Sequence, residues 1–206
     1  TTILFWILEH NNTLATMSFT SGIINSLFHA VSFKSAGFTA TTVGDFQIAT
    51  LFLIMLIGFI GSSPGSTGSG IKITTFFLFL ATVKAAVHGR TSVEIRGRRI
   101  PIDQIYRAVS IVAISVGWVL LTTFCLLITE KDWSLLDAVF ETSTAFTSVG
   151  LSTGITSTLS LIGKIFMIGT MFIGRVGSFT MVLALRMHGK KETSEFAYPE
   201  ERVMLG

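Results

Sequence analysis

Two short stretches of this 206-residue chain carry residues suited to one kind of chemistry. Ser35-Ala36-Gly37-Phe38-Thr39 is echoed 113 positions further on by Ser148-Val149-Gly150-Leu151-Ser152. Glycine admits backbone conformations that other residues avoid and leaves no side chain in the way. A loop centred on it can therefore turn successive carbonyl oxygens toward a common axis. Such oxygens are what a protein uses to replace the hydration shell of a bare cation. The same offset pairs Phe33 with Phe146, and Phe59-Ile60-Gly61 with Phe172-Ile173-Gly174. A register kept over separated matches marks an internal duplication. Ordinary turn glycines in surface hairpins would leave that register unexplained.

Other residues raise chemical questions of their own. The insert Gly61-Ser62-Ser63-Pro64-Gly65-Ser66-Thr67-Gly68-Ser69-Gly70 interrupts apolar sequence. Gly65 and Gly70 have the spacing of a phosphate loop, but Ile71 precedes Lys72 and no strand leads in, so the nucleotide reading fails. Backbone exposed inside an apolar segment lines a cavity instead. Arg175 lies within an apolar run, where a charge is costly and faces a cavity or a partner. Lys34 stands directly before the first glycine loop, where its charge would repel a cation. It is expected to turn behind the loop onto a carboxylate, with Glu141 and Asp45 as candidates. The single cysteine, Cys125, excludes a disulfide framework and a cysteine metal site.

The elements that must position these residues follow from composition. The chain is 50% hydrophobic and 13% charged, with a mean hydropathy of +0.69. Soluble domains carry about 25% charged residues. Phe 18 against Tyr 2 points the same way, because a buried phenol needs a polar partner and a phenyl ring does not. A soluble enzyme or a nucleic-acid binder is excluded despite a pI near 9.2. A membrane span needs about 20 apolar residues. Residues 1–8 read as the outer end of a helix, 48–60 and 71–87 as a span broken by the insert, and 108–128 and 159–185 as spans. The alternation around Gly97 within 93–101 suggests a short hairpin. Lys164 is expected to snorkel, and Trp6 and Trp133 suit an outer interfacial belt.

The apolar pieces 21–33 and 133–146 are too short to cross roughly 30 Å of hydrocarbon, so they are expected to be re-entrant. A half-helix pointing its C-terminal end inward favours a cation there. Each unit thus reads as a span, a short helix, a glycine loop and a returning span. Of the 15 basic residues, Lys84, Arg90, Arg96, Arg98, Arg99 and Arg107 cluster before the second unit, and Arg186, Lys190, Lys191 and Arg202 lie in the tail. Both segments are therefore expected on the cytoplasmic side.

At these residues the chain resembles the potassium-transporter superfamily of Trk, Ktr and HKT proteins. The resemblance rests on Ser35-Ala36-Gly37-Phe38, Thr147-Ser148-Val149-Gly150-Leu151, the insert, Gly174-Arg175-Val176-Gly177 and the terminal Tyr198-Pro199-Glu200-Glu201-Arg202-Val203-Met204-Leu205-Gly206. It implies an all-α membrane protein with two span–pore-helix–span repeats and re-entrant selectivity-filter loops, half of a four-repeat pore. The chain is most like repeats three and four of the Ktr-type membrane subunit. The implied organisation is a third-type repeat over 1–87, a cytoplasmic connection over 88–107, a fourth-type repeat over 108–185 and a cytoplasmic tail over 186–206. Potassium would be coordinated by carbonyls of Gly37 and Gly150 with Ser35, Ala36, Phe38, Ser148, Val149 and Leu151. The gate would comprise Gly65, Ser66, Thr67, Gly68, Ser69 and Gly70 with Arg175. A plant relative with Ser at one filter glycine goes with sodium permeation, so Gly at both positions favours potassium.

The resemblance further implies potassium uptake across the plasma membrane, lipid contact, a homodimer, a cytosolic nucleotide-binding RCK-type ring, and the two absent N-terminal repeats as partners. No organic cofactor is implied. Two competing readings remain at this stage. A non-conducting assembly module would use the same scaffold. An intramembrane hydrolase would need a Ser near a His on facing helices; His10, His88 and His188 lie near span ends and His29 in a short helix, so none suggests itself.

Overall fold

The computed structural model describes residues 1–61, 63, 66, 68–90, 92–95 and 97–176. Gly65, Thr67 and Gly177, the tail 186–206 and the end of the 159–185 span lie outside them. The described chain is helical apart from one hairpin of two-residue strands. The elements are α1 (Thr2–Glu9), α2 (Phe19–Ser32), α3 (Ile48–Phe59), α4 (Ile73–Val87), β1 (Glu94–Ile95), β2 (Arg98–Arg99), α5 (Ile102–Thr129), α6 (Leu135–Phe146) and α7 (Leu161–Val176). The expected hairpin thus forms, with Glu94 opposite Arg99.

Among the described residues one helix, α5, is long and apolar enough to cross a bilayer. Its 28 residues extend about 42 Å at the rise of an α-helix. The short helices begin at polar caps. Ser18 Oγ accepts the Ser21 amide at 3.4 Å, and Ser134 Oγ accepts that of Asp137 at 3.2 Å. Each cap satisfies one of the orphan donors of the first turn. In α6, Asp137 adds a negative charge at the positive end of the helix.

The helices pack as two similar sets. In the first, α1 packs on α2 and α3; in the second, α5 packs on α6 and α7. The sets join where α3 meets α6 and α4 meets α5. The largest apolar cluster crosses that junction, gathering Phe5, Phe33, Phe46 and Ile54 with Phe140, Val149 and Leu151. Phe59 stacks on Phe146 with centroids 6.1 Å apart, pairing two positions that the duplicated register had already singled out. The contact between α5 and α7 includes a polar cluster: Thr170 Oγ1, fully buried, meets Thr122 Oγ1 at 3.0 Å and Trp118 Nε1 at 3.3 Å.

Candidate functional site: two glycine loops and the insert beside them

The duplicated motifs take up duplicated conformations. Ser35 has φ +69° and Ser148 φ +53°, while Gly37 has φ +71° and Gly150 φ +79°. Each serine occupies the left-handed region that ends a short helix. After α6 the amide of Val149 donates to Thr144 O at 3.0 Å and that of Ser148 to Ala145 O at 3.2 Å. This is the Schellman arrangement, whose left-handed position normally takes glycine. A serine there costs about 1–2 kcal/mol, and such strain gathers at functional sites. Both hydroxyls have partners across the junction. Ser148 Oγ meets Ser69 Oγ of the insert at 2.7 Å, and Ser35 Oγ reaches toward Thr147 O at 3.5 Å.

The loops face each other closely. A Cβ on Gly37 would lie 3.0 Å from Val149 O and 3.6 Å from Gly150 O. A Cβ on Gly150 would meet only Gly37 Cα, at 3.8 Å. The side chains of Val149 and Leu151 are buried in the apolar cluster, which leaves the loop's polar surface to its main chain. In the first loop, Ser32 Oγ holds the Phe38 carbonyl, while the Phe38 ring itself is exposed.

The insert is pinched at its base and docked close beside it. Gly61 N donates to Ile71 O at 2.7 Å and Ile71 N to Phe59 O at 3.2 Å, so α3 and α4 are held together where the helix is broken. Ser69 is buried and bonded to Ser148. Lys72 Nζ donates to Ser66 O at 2.9 Å and Gly68 O at 2.7 Å. Arg175 occupies the last described turn of α7 and is exposed. Its neighbour Gly174 abuts the end of α6 so tightly that a Cβ would overlap the Phe146 carbonyl. Arg175 is thereby carried to the base of the second loop.

Lys34 turns behind its loop as expected, but the partner differs. Its ammonium donates to Ile60 O at 2.8 Å and Ile57 O at 3.2 Å, with no carboxylate involved. The C-terminal carbonyls of α3 have no intrahelical donors and carry the negative end of the helix dipole. They therefore hold a cation without a carboxylate. Glu141 is committed elsewhere. Buried in α6, its Oε1 accepts from Ser152 Oγ at 2.6 Å and Thr153 N at 2.9 Å, and its Oε2 from Thr156 Oγ1 at 2.9 Å. It fastens the segment following the second loop. In the first set, fully buried His29 does the comparable work: Nδ1 lies 2.9 Å from Asn25 O and Nε2 3.2 Å from Thr41 Oγ1.

Two further acids were not singled out from the sequence. Glu130 is buried, and its Oε1 accepts from Ser160 N at 3.1 Å and Ser160 Oγ at 2.5 Å. Glu9, fully buried at the end of α1, accepts from Gln47 N at 3.0 Å and Thr50 Oγ1 at 2.5 Å. Each acid thus ends the first helix of its set and receives the capping amide of the third. A carboxylate closing an apolar helix was the available signal; what it would bond to was not.

No three His, Cys, Asp or Glu side chains converge on a metal position among the described residues. The geometry offers a weakly held cation main-chain carbonyls and serine hydroxyls, the hard oxygen donors suited to an alkali ion.

The family model described as a cation transport protein, TrkH, matches residues 1–195. The potassium/sodium uptake protein NtpJ of Enterococcus hirae is 35% identical over 99% of this chain and 46% of its own length. The Ktr system potassium uptake protein B of Bacillus subtilis is 37% identical over 98% of this chain and 45% of its own. This chain therefore spans a little under half the length of these relatives. The crystal structure of the potassium transporter TrkH from Vibrio parahaemolyticus superposes with a TM-score of 0.73, covering 89% of this chain and 41% of that one at 21% identity. That likeness shows the helical fold. On the match across residues 1–195, the chain belongs to the TrkH family of cation transport proteins.

Proposed function

We propose that this chain is the half of a Ktr-type potassium-uptake subunit that contains repeats three and four, embedded in the plasma membrane with its tail in the cytoplasm. The observation that carries the reading is the matched geometry of Ser35 with Ser148 and of Gly37 with Gly150, in loops that approach to within van der Waals contact. Two such loops would form two walls of a four-walled filter. Carbonyls of Ser35, Ala36, Gly37 and Phe38, and of Ser148, Val149, Gly150 and Leu151, would replace the ion's water. The other two walls would come from the N-terminal repeats. The family is one of transporters and not enzymes, which sets the hydrolase reading aside.

Residues 61–70 would form the gate below that filter. The Ser69–Ser148 bond, which holds the insert against the second loop, and the Lys72 clamp, which ties the insert to the start of α4, support this reading. Arg175 would face the same passage, where a fixed positive charge opposes a passing cation. The partners of the full-length protein would be a second copy and an RCK-type nucleotide-binding ring, both engaged in part through the tail. A pull-down of the full-length protein lacking residues 198–206 should recover less dimer or ring; full recovery of both removes the tail from either interface. The filter assignment is tested by soaking rubidium into crystals of the full-length protein. Anomalous density is expected beside Gly37 and Gly150, and density confined to other positions would overturn it.

A further inference from the structure

α4 ends in a basic cavity that the transport pathway does not use. The cavity, about 340 Å³, is lined by Lys84, His88 and Arg90 above a floor of Ala81 and Ala85. Its position follows from how the helix stops. The amide of Gly89, at φ +64°, donates to Ala86 O at 3.0 Å, and that of Arg90 to Ala85 O at 3.0 Å. This Schellman closure satisfies the last carbonyls from the main chain, and it folds Arg90 back beside Lys84, one turn earlier. Neither Lys84 nor Arg90 forms an ion pair among the described residues, where the recorded pair is Arg107 with Asp103. Glu94 also borders the cavity, but accepts a bond from Ser92 Oγ at 3.3 Å, so two cations face one carboxylate.

An apolar stripe leads up to this cavity. Ile73, Phe77, Leu80, Lys84 and Val87 recur at the spacing of one helix face, and the four apolar members are exposed. Ala85, by contrast, is turned inward, toward the side where α4 packs on α5. One α4 face therefore offers about 20 Å of hydrocarbon contact ending in two unpaired cations. That is the outline of a phospholipid with an anionic headgroup. Basic pockets at the cytoplasmic ends of membrane helices bind such headgroups.

We propose that α4 carries a site for an anionic phospholipid, its phosphodiester held by Lys84 and Arg90 and its acyl chain lying along Phe77 and Leu80. The inference rests on the membrane placement given under the proposed function, and it adds a means of regulation. α4 starts immediately after the insert, and Lys72, at its N-terminal boundary, clamps Ser66 and Gly68. A lipid that fixes the far end of α4 fixes the helix from which the insert is held.

The test uses the full-length transporter in nanodiscs of phosphatidylcholine with 0 or 30 mol% phosphatidylglycerol. Retained lipid is counted by native mass spectrometry after detergent release. Two cations at the headgroup should favour phosphatidylglycerol by roughly 30-fold, and Lys84→Gln with Arg90→Gln should abolish the preference. The Lys84→Arg variant should keep it, which separates charge from folding. Equal retention of both lipids by the wild type, or an undiminished preference in the double variant, would overturn the site. So would full competition by soluble glycerol phosphate, which would point to a free anion instead. Rubidium flux in the same lipids is the second readout, expected to depend on phosphatidylglycerol only when both cations are present. Absence of rubidium flux in every lipid would count against the transport reading alone, because lipid retention is scored independently.

Discussion

Gly37 and Gly150 occupy matched positions, yet the structure makes them unequal, and replacing each by alanine in the full-length transporter exposes the difference. Both have positive φ, so an alanine costs about 1–2 kcal/mol at either position. The surroundings add a second cost at Gly37 only. Its new Cβ would sit 3.0 Å from Val149 O, whereas at Gly150 the nearest neighbour is Gly37 Cα at 3.8 Å. Relieving a crowded contact costs about 1–3 kcal/mol, and the yielding atom is the Val149 carbonyl, one of the oxygens assigned to the ion. The φ cost falls on the fold; the contact cost falls on the geometry proposed to discriminate ions. At about 1.4 kcal/mol per tenfold, Gly37→Ala should lower the potassium-over-sodium preference by roughly tenfold, and Gly150→Ala by roughly threefold or less. Competition of sodium against rubidium uptake in proteoliposomes at matched protein amounts measures this. Equal losses, or a larger loss at Gly150, would refute the assignment of Val149 O to the pathway. The larger Gly37→Ser and Gly150→Ser replacements should weaken selectivity in the same order.

Further variants probe the surroundings of the loops. Arg175→Ala, or deletion of several residues between 62 and 69, should raise potassium flux and reduce its dependence on the cytosolic regulator; a fall in flux for both in proteoliposomes would contradict the gate. Glu141→Gln sets an amide donor among the hydroxyl and backbone donors that now converge on a buried carboxylate. A loss of about 2 kcal/mol in stability is expected, read as a lower thermal midpoint, and an unchanged midpoint would remove Glu141 from the support of the second loop. Lys34→Met leaves the Ile57 and Ile60 carbonyls without this donor. The expected cost is about 1 kcal/mol, at the lower end because the position is exposed. Lys34→Arg should restore stability, and failure of that rescue would point to packing of the lysine stem instead.

Much of the architecture was legible in the residue order, because it is written in local patterns. Apolar runs and breaks predicted α2 over 21–33 against an observed Phe19–Ser32, and α6 over 133–146 against Leu135–Phe146. The break between α3 and α4 followed from a run of glycine and serine that cannot continue a helix cheaply. The offset of 113 located Gly37 and Gly150 before any coordinates, and with them the serines whose left-handed φ values agree. Membership of a transport family was legible in the same motifs.

Pairing between elements was not legible, because it depends on which surfaces the fold brings together. Lys34 was assigned a carboxylate on charge alone, whereas the end of α3 arrives beside it and presents carbonyls that need a donor just as much. Glu9 and Glu130 were not singled out from the sequence, and only packing showed that each is buried under the capping amide of another helix. The contact of Ser69 with Ser148, separated by 79 residues, has no local signature at all. The sequence by itself determined where the glycine loops and the insert lie, since glycine and serine content is a local property. The tertiary structure alone decided what those loops rest against, since the buried acids, the lysine and the insert each bond to a residue brought near only by folding.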